Sequence, residues 1–430
     1  MSFRRTAFRG RQLIANSLVL SLGTGSAQAL TAASYWVTAR NLRPADFGKL
    51  AAAVSLAMLL WSAADLGFNS WLIREMARGT SADTFGVGLG ARLALAVLAA
   101  SLWLACSVPL WLLGDASRYV PLLALWVLFS LIWSTLAVPL RAAERMGRVA
   151  AISVVERVVL CGVVAVSVAF GDPALGLVVG LVLGAAIAML VAWSSVGVRV
   201  AELRVPTLQA ISSFVRASLG FAASSLAVQL QRLDVPLVSL AAGPSAAGIY
   251  AAPARVTNVL GILPTSFSSA LFPRVSRAKG GAARGELRFG TLGVALTMAV
   301  LIAPLFWFAP SVAGSVLGVA YRSSGAVLRP VLVAALISSV NQPISVAFQA
   351  RGRERSIGGV FGVGVAIGLT AIALGGVLWG ALGAACGLVA MEFAIFCGLA
   401  LVATRSNDGQ TKASRLRALS RGERLESPAL

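Results

Sequence analysis

Histidine is absent from this 430-residue sequence, which excludes histidine metal sites and catalytic triads built on an imidazole base. Charge is scarce: 12% of residues are charged, where a soluble globular domain carries about 25%. Acidic residues are the scarcer kind, 16 against 36 Lys plus Arg. The four cysteines, Cys106, Cys161, Cys386 and Cys397, lie inside apolar runs without metal-site spacing, so they are expected to be packing residues. No G-x-x-x-x-G-K-[ST] motif occurs, so energy from a nucleotide bound in a loop of that kind is not expected.

What is present is apolar. Hydrophobic residues make up 58% and mean hydropathy is +0.85. The apolar residues fall in runs of about 20, the length that crosses a bilayer core as a helix. A net charge of +20 would suggest nucleic acid in a soluble protein. Here the arginines sit mostly in short loops between apolar runs, so they read as orientation signals and no nucleic-acid partner is expected.

Spans are expected near 13–38, 47–69, 86–112, 119–138, 149–170 and 174–195, and again near 214–240, 248–272, 287–310, 325–348, 356–377 and 380–403. Arg4, Arg5, Arg9 and Arg11 before an apolar run, with Ala27-Gln28-Ala29 after it, imitate a signal peptide. The run continues to Val37, longer than a signal core, and reads as a first span. The chain therefore divides into a basic N-terminus (1–12), a six-helix half (13–195), a linker (196–213), a second six-helix half (214–403) and a basic tail (404–430). Basic residues crowd the loops on the N-terminal side, for instance Arg274, Arg277, Lys279, Arg284 and Arg288. They thin to Arg40, Arg43, Lys49, Arg118 and Arg322 on the other. Both termini and the linker are accordingly expected on the cytoplasmic side, with the tail near anionic lipid.

An internal repeat supports two halves. Pro44-x-x-x-Gly48-x-x-Ala51-Ala52 recurs as Pro244-x-x-x-Gly248-x-x-Ala251-Ala252, Arg74 matches Arg274, and Arg141-x-x-Glu144-Arg145 recurs as Arg351-x-x-Glu354-Arg355. An even number of spans per repeat gives both halves one orientation. The expected fold is therefore an all-α polytopic membrane protein of about twelve transmembrane helices, in two six-helix halves related by a pseudo-twofold along the membrane normal.

Three sequence blocks carry a family resemblance. They are Ala39-Arg40-Asn41-Leu42-Arg43-Pro44-Ala45-Asp46-Phe47-Gly48; Ala64-Asp65-Leu66-Gly67 with Ile73-Arg74-Glu75-Met76-Ala77-Arg78; and Leu233-Asp234 with Gly248-Ile249-Tyr250. Together they resemble the polysaccharide biosynthesis and oligosaccharide flippase family of the multidrug, oligosaccharidyl-lipid and polysaccharide exporter superfamily. Arg43 departs from the family pattern, which has Gly before the Pro. The resemblance implies a non-enzymatic flippase in a bacterial cytoplasmic membrane, moving undecaprenyl-pyrophosphate-linked oligosaccharide to the outer leaflet for surface polysaccharide assembly. It implies no cofactor. The implied partners are the lipid-linked substrate, membrane lipid, and polysaccharide polymerase and assembly proteins. The alternatives on this architecture are a cation-coupled multidrug exporter and a lipid II flippase. From another class comes a membrane glycan polymerase or glycosyltransferase, which would be expected to carry a sizeable extramembrane loop that this sequence does not show.

Polar residues inside spans nominate the site. Stripes at helical spacing run through Ser21, Thr24, Gln28, Thr31 and Tyr35, through Ser55, Met58, Ser62, Asp65 and Asn69, through Ser225, Gln229, Arg232 and Ser239, through Arg255, Asn258, Thr265 and Ser269, and through Ser338, Asn341, Ser345 and Gln349. Such stripes report either helix contacts or a wet cavity. Arg232 and Arg255 fall at matching depth, with Gln28, Gln229, Asn258 and Asn341 as further substrate-binding candidates. Asp234 is expected either to pair with Arg255 or to serve substrate or ion. Glu392, near the middle of the last span, is the candidate proton carrier. Asp65 reads as a helix-end charge, Glu156 as an ion-pair partner of Arg157, and Arg92, Arg157 and Arg216 as interfacial groups that snorkel.

Overall fold

A computed structural model describes residues 22–65, 67–77, 82–112, 118–197, 228–268, 281–349 and 353–420, with isolated positions between 207 and 216. The basic N-terminus, most of the linker, the start of the seventh expected span, Ser21, Ser225, Ser269 and Arg274 lie outside the described residues.

Every regular element among the described residues is helical. In chain order these are α1 (22–40), α2 (Pro44–Asp65), α3 (Phe68–Ala77), α4 (Ala82–Leu112), α5 (Leu123–Ala142), α6 (Met146–Ala169) and α7 (Pro173–Val196). There follow α8 (Asp234–Thr257), α9 (262–268), α10 (Gly281–Trp307), α11 (Ser324–Gln349) and α12 (Glu354–Ser420). Among the described residues, nine helical segments are long and apolar enough to cross a membrane. Large apolar side chains such as Leu98, Val166, Val300 and Leu378 face outward from them, as lipid-facing surfaces require. The chain is a multi-pass membrane protein.

Two of the nine segments are bent where the sequence places turns. Leu230–Ser268 breaks at Gly243, whose φ of 86° is a region that L side chains rarely adopt, and Pro244 restarts the helix. Ser356–Thr404 breaks at Trp379 and Gly380. The second expected span, 47–69, is shorter than read: α2 ends at Asp65 and a separate helix, α3, carries Phe68–Ala77. Between the two, Gly67 takes a φ of 69°, a left-handed turn that glycine accommodates, and Arg92 Nη1 donates to the carbonyl of Ala64 at 2.9 Å, giving the end of α2 a side-chain partner.

The two copies of the P-x-x-x-G repeat pack on each other. A Cβ on Gly48 would stand 2.0 Å from the Pro244 carbonyl oxygen, and one on Gly248 would stand 1.8 Å from that of Pro44. Only glycine lets α2 and α8 approach so closely. The seal continues outward: Phe47 meets Tyr321 edge-on at 6.4 Å, Trp36 Nε1 donates to the Val316 carbonyl at 2.6 Å, and Ser324 Oγ donates to that of Ile249 at 3.1 Å. This end of the bundle is the one that the charge bias assigns to the outer face. At the same end the Asp172 side chain accepts from the Leu175 N–H at 3.1 Å, from Arg118 at 3.2 Å and from the Tyr119 hydroxyl, capping α7. Partial burial pushes the Asp172 carboxyl up, but these donors outweigh it and hold the group below its ordinary value.

Candidate functional site

Beneath that seal lies a cavity of ≈ 560 Å3, walled by α1, α2, α8, α11, α12 and the stretches that flank α8. Local sequence sets its first cation. Pro236 lacks the N–H that an α-helix through this point would supply to the Arg232 carbonyl, so residues Leu230–Leu233 tighten into a 3-10 turn and α8 begins at Asp234. Arg232 on that turn faces the cavity. Arg255 reaches it from the last turn of α8.

Both guanidiniums spend their donors on neutral groups. Arg232 donates from Nε to Gln229 Oε1 at 2.5 Å and from Nη1 to the Met58 sulfur, a weak acceptor, at 3.1 Å. Arg255 donates from Nη2 to Ser55 Oγ at 2.5 Å and lies over the Tyr35 ring, 5.5 Å from its centroid, while its Nε is buried without a partner. The expected pairing of Asp234 with Arg255 does not occur: no ion pair within 4.0 Å joins Asp234 to either arginine. Its carboxylate is already held by its neighbours, accepting from the Val235 N–H at 2.7 Å and the Tyr250 hydroxyl at 3.0 Å. Asp234 still lines the cavity.

Gln28, Gln229 and Asn258 line the cavity as anticipated. Asn341 does not. It is buried between α11 and α12, where its Nδ2 donates to Glu392 Oε2 and to the Glu392 carbonyl, both at 2.9 Å. It therefore orients Glu392, which does line the cavity and has no arginine partner among the described residues. Gln231 and Gln342, which the sequence reading passed over, also line the wall. Gln342 was legible as the residue four positions after Ser338, and its Oε1 accepts from Thr265 Oγ1 at 3.2 Å.

Four further charges, in two pairs, lie elsewhere. Glu156 pairs with Arg157 at 3.2 Å, as expected. Asp65 lies at the end of α2 as expected, but its partner is Arg92, which is fully buried and not interfacial. Arg92 has no reason to snorkel because acceptors surround it: the Ala64 and Leu131 carbonyls and the Asp65 carboxylate. Asn69 completes the cluster, donating to Asp65 Oδ1 at 2.8 Å and to Ser134 Oγ at 3.1 Å, and accepting from Thr135 at 3.0 Å.

The family model described as polysaccharide biosynthesis protein matches residues 13–279. The chain belongs to this polysaccharide biosynthesis protein family. Arg232, Asp234 and Arg255 lie inside the matched region, and Asn341 and Glu392 lie beyond it. Solved structures share the fold of this family member at low identity. A lipid II flippase, MurJ, in an inward closed conformation has a TM-score of 0.70 at 13% identity, covering 90% of this chain and 87% of that one. An inward-facing multidrug resistance MATE family transporter of the MOP superfamily has 0.66 at 14%, covering 89% and 96%. A MOP superfamily transporter from Pyrococcus furiosus, described as having a binding pocket of reverse polarity, has 0.64 at 17%, covering 92% and 95%. No curated protein matches the sequence.

Proposed function

We propose that the protein is a flippase that carries an undecaprenyl-pyrophosphate-linked oligosaccharide from the cytoplasmic to the outer leaflet by rocking of two six-helix halves. The observation that carries this reading is the pair of arginines on the cavity wall whose partners are all uncharged. A pyrophosphate entering the cavity offers oxygens that Ser55, Gln229 and Met58 cannot match in charge, and the guanidinium fork fits such oxygens in pairs. Gln28, Asn258, Gln342 and Thr265 supply exchangeable hydrogen bonds for sugar hydroxyls. The lipid tail stays in the bilayer. Reciprocal packing of the repeat copies at Gly48 and Gly248 supports the two-half plan, and the excess of basic residues in the loops on one side supports cytoplasmic termini. Supply and onward use of the glycan fall to other proteins, a polymerase among them, and this chain is read as a transporter without catalytic chemistry.

Arg232→Gln and Arg255→Gln, at normal membrane abundance and thermal stability, are expected to bind the pyrophosphate-linked glycan roughly ten- to a hundredfold more weakly, the worth of a hydrogen bond to a charged group. Lys at either site should be intermediate. Wild-type binding by both Gln variants would place the phosphate site elsewhere.

Glu392 is assigned the coupling role, as a carboxyl exchanging a proton with the cavity while Asn341 holds it in place. Glu392→Gln is expected to remove the pH dependence of translocation in vesicles without lowering abundance. An unchanged pH profile would return Glu392 to a structural role.

A further inference from the structure

The cavity arginines also join the two halves. Arg232 and Arg255 belong to the second half, whereas Met58 and Ser55, which they contact, lie one turn apart on α2 of the first. Tyr35, beneath Arg255, is on α1 of the first half as well. The Arg255 contact joins α2 to α8, the pair that closes at Gly48 and Gly248, and the Arg232 contact joins α2 to the 3-10 turn that leads into α8. We propose that Ser55 and Met58 are docking points that latch Arg255 and Arg232 across the halves when the cavity is empty, and that an anionic pyrophosphate ligand releases the outer seal by drawing the guanidiniums away. The inference rests on the flippase reading for its ligand, but the latch itself is tested without one.

The chemistry favours such an exchange. A hydroxyl and a thioether are weak partners for a guanidinium, adequate to hold it in an empty cavity and readily displaced by phosphate oxygens, whose hydrogen bonds to a cation are about twice as strong as neutral ones. The buried, unpartnered Nε of Arg255 shows a donor not yet satisfied in the latched state. Each guanidinium that turns to the ligand gives up a contact between α2 and either α8 or the turn that leads into it. Ligand binding and loosening of the seal thus draw on the same donors, which is the differential interaction that a ligand-driven change of state requires.

The test places spin labels at Lys49→Cys and Ser245→Cys, exposed residues at the sealed ends of α2 and α8, in a full-length background with Cys106, Cys161, Cys386 and Cys397 replaced by alanine. Without ligand, Ser55→Ala combined with Met58→Leu should raise the ratio of long to short label distances roughly five- to tenfold, as loss of two weak hydrogen bonds implies. Ser55→Thr, which keeps a hydroxyl, combined with native Met58 should retain the starting ratio. Undecaprenyl pyrophosphate should lengthen the distance in the unlatched protein's parent and have little further effect on the double variant. A parent-like distance distribution in the ligand-free double variant would overturn the latch. Ligand that binds the parent without changing its distances would overturn the trigger while leaving the flippase reading in place. Absence of ligand binding to the parent would overturn that reading, and the triggering role with it.

Discussion

Gly248→Ala, and separately Gly48→Ala, should hold the outer end of the bundle open and reduce translocation to a small fraction of the parent rate. The added Cβ would stand 1.8 Å from the Pro44 carbonyl oxygen in the first case and 2.0 Å from that of Pro244 in the second. Both obstacles are backbone, so no side-chain rotation relieves them and the helices must separate. Overpacking costs about 1–3 kcal/mol, and a backbone clash belongs at the upper end, equivalent to roughly a hundredfold shift between sealed and open forms. The gain in helix propensity from Gly to Ala, about 1 kcal/mol, is smaller and does not reverse the sign. Outside labelling of a cysteine placed at Ala251, buried in the seal, reads the shift. If the seal were a static wall, the same variants would lower abundance and melting temperature and leave labelling unchanged.

Arg92→Met should be the most destabilising single change in the first half. It removes three buried contacts at once, to the Ala64 and Leu131 carbonyls and the Asp65 carboxylate, and leaves that carboxylate with Asn69 as its remaining side-chain donor. Breaking one partner of a buried pair costs about 3–5 kcal/mol, because the stranded charge is worse than no charge at all. Asp65→Asn combined with Arg92→Met should recover much of the loss, since the stranded charge is gone. Thermal unfolding in detergent checks both, and a single variant as stable as the parent would show that the cluster contributes little.

The sequence made the architecture legible wherever periodicity, charge bias and repeat agreed. The turn at Gly243 falls between expected spans, where glycine and proline interrupt the apolar run, whereas the break at Trp379 and Gly380 reaches the first residue of the last expected span. Arg232 and Arg255 were legible as cations because insertion of charge in mid-span is costly, and the structure brings both to one cavity. What the sequence did not carry was pairing. Asp234 lies two residues from Arg232, yet its partners are its own chain neighbour and a tyrosine one hairpin away. Arg92 has the local sequence of a snorkelling residue, and only the end of α2 and the middle of α5, distant in the chain, reveal why it is buried. Asn341 shares the stripe of Ser338 and Ser345, but helix rotation turns it toward Glu392 and away from the cavity. Periodicity gives a face, not what that face meets.

If the cavity moves a pyrophosphate-linked glycan across the bilayer, the purified protein in vesicles carries that glycan from one leaflet to the other. Undecaprenyl-pyrophosphate oligosaccharide labelled on its sugar is loaded in one leaflet, and its arrival in the other is read with an impermeant lectin, beside lipid II and a cationic dye. The expected result is protein-dependent arrival of the oligosaccharide, strongly reduced in Arg232→Gln and Arg255→Gln, with the dye left behind. Transport of the dye without the glycan, or of lipid II alone, would contradict the account in favour of a drug exporter or a lipid II flippase.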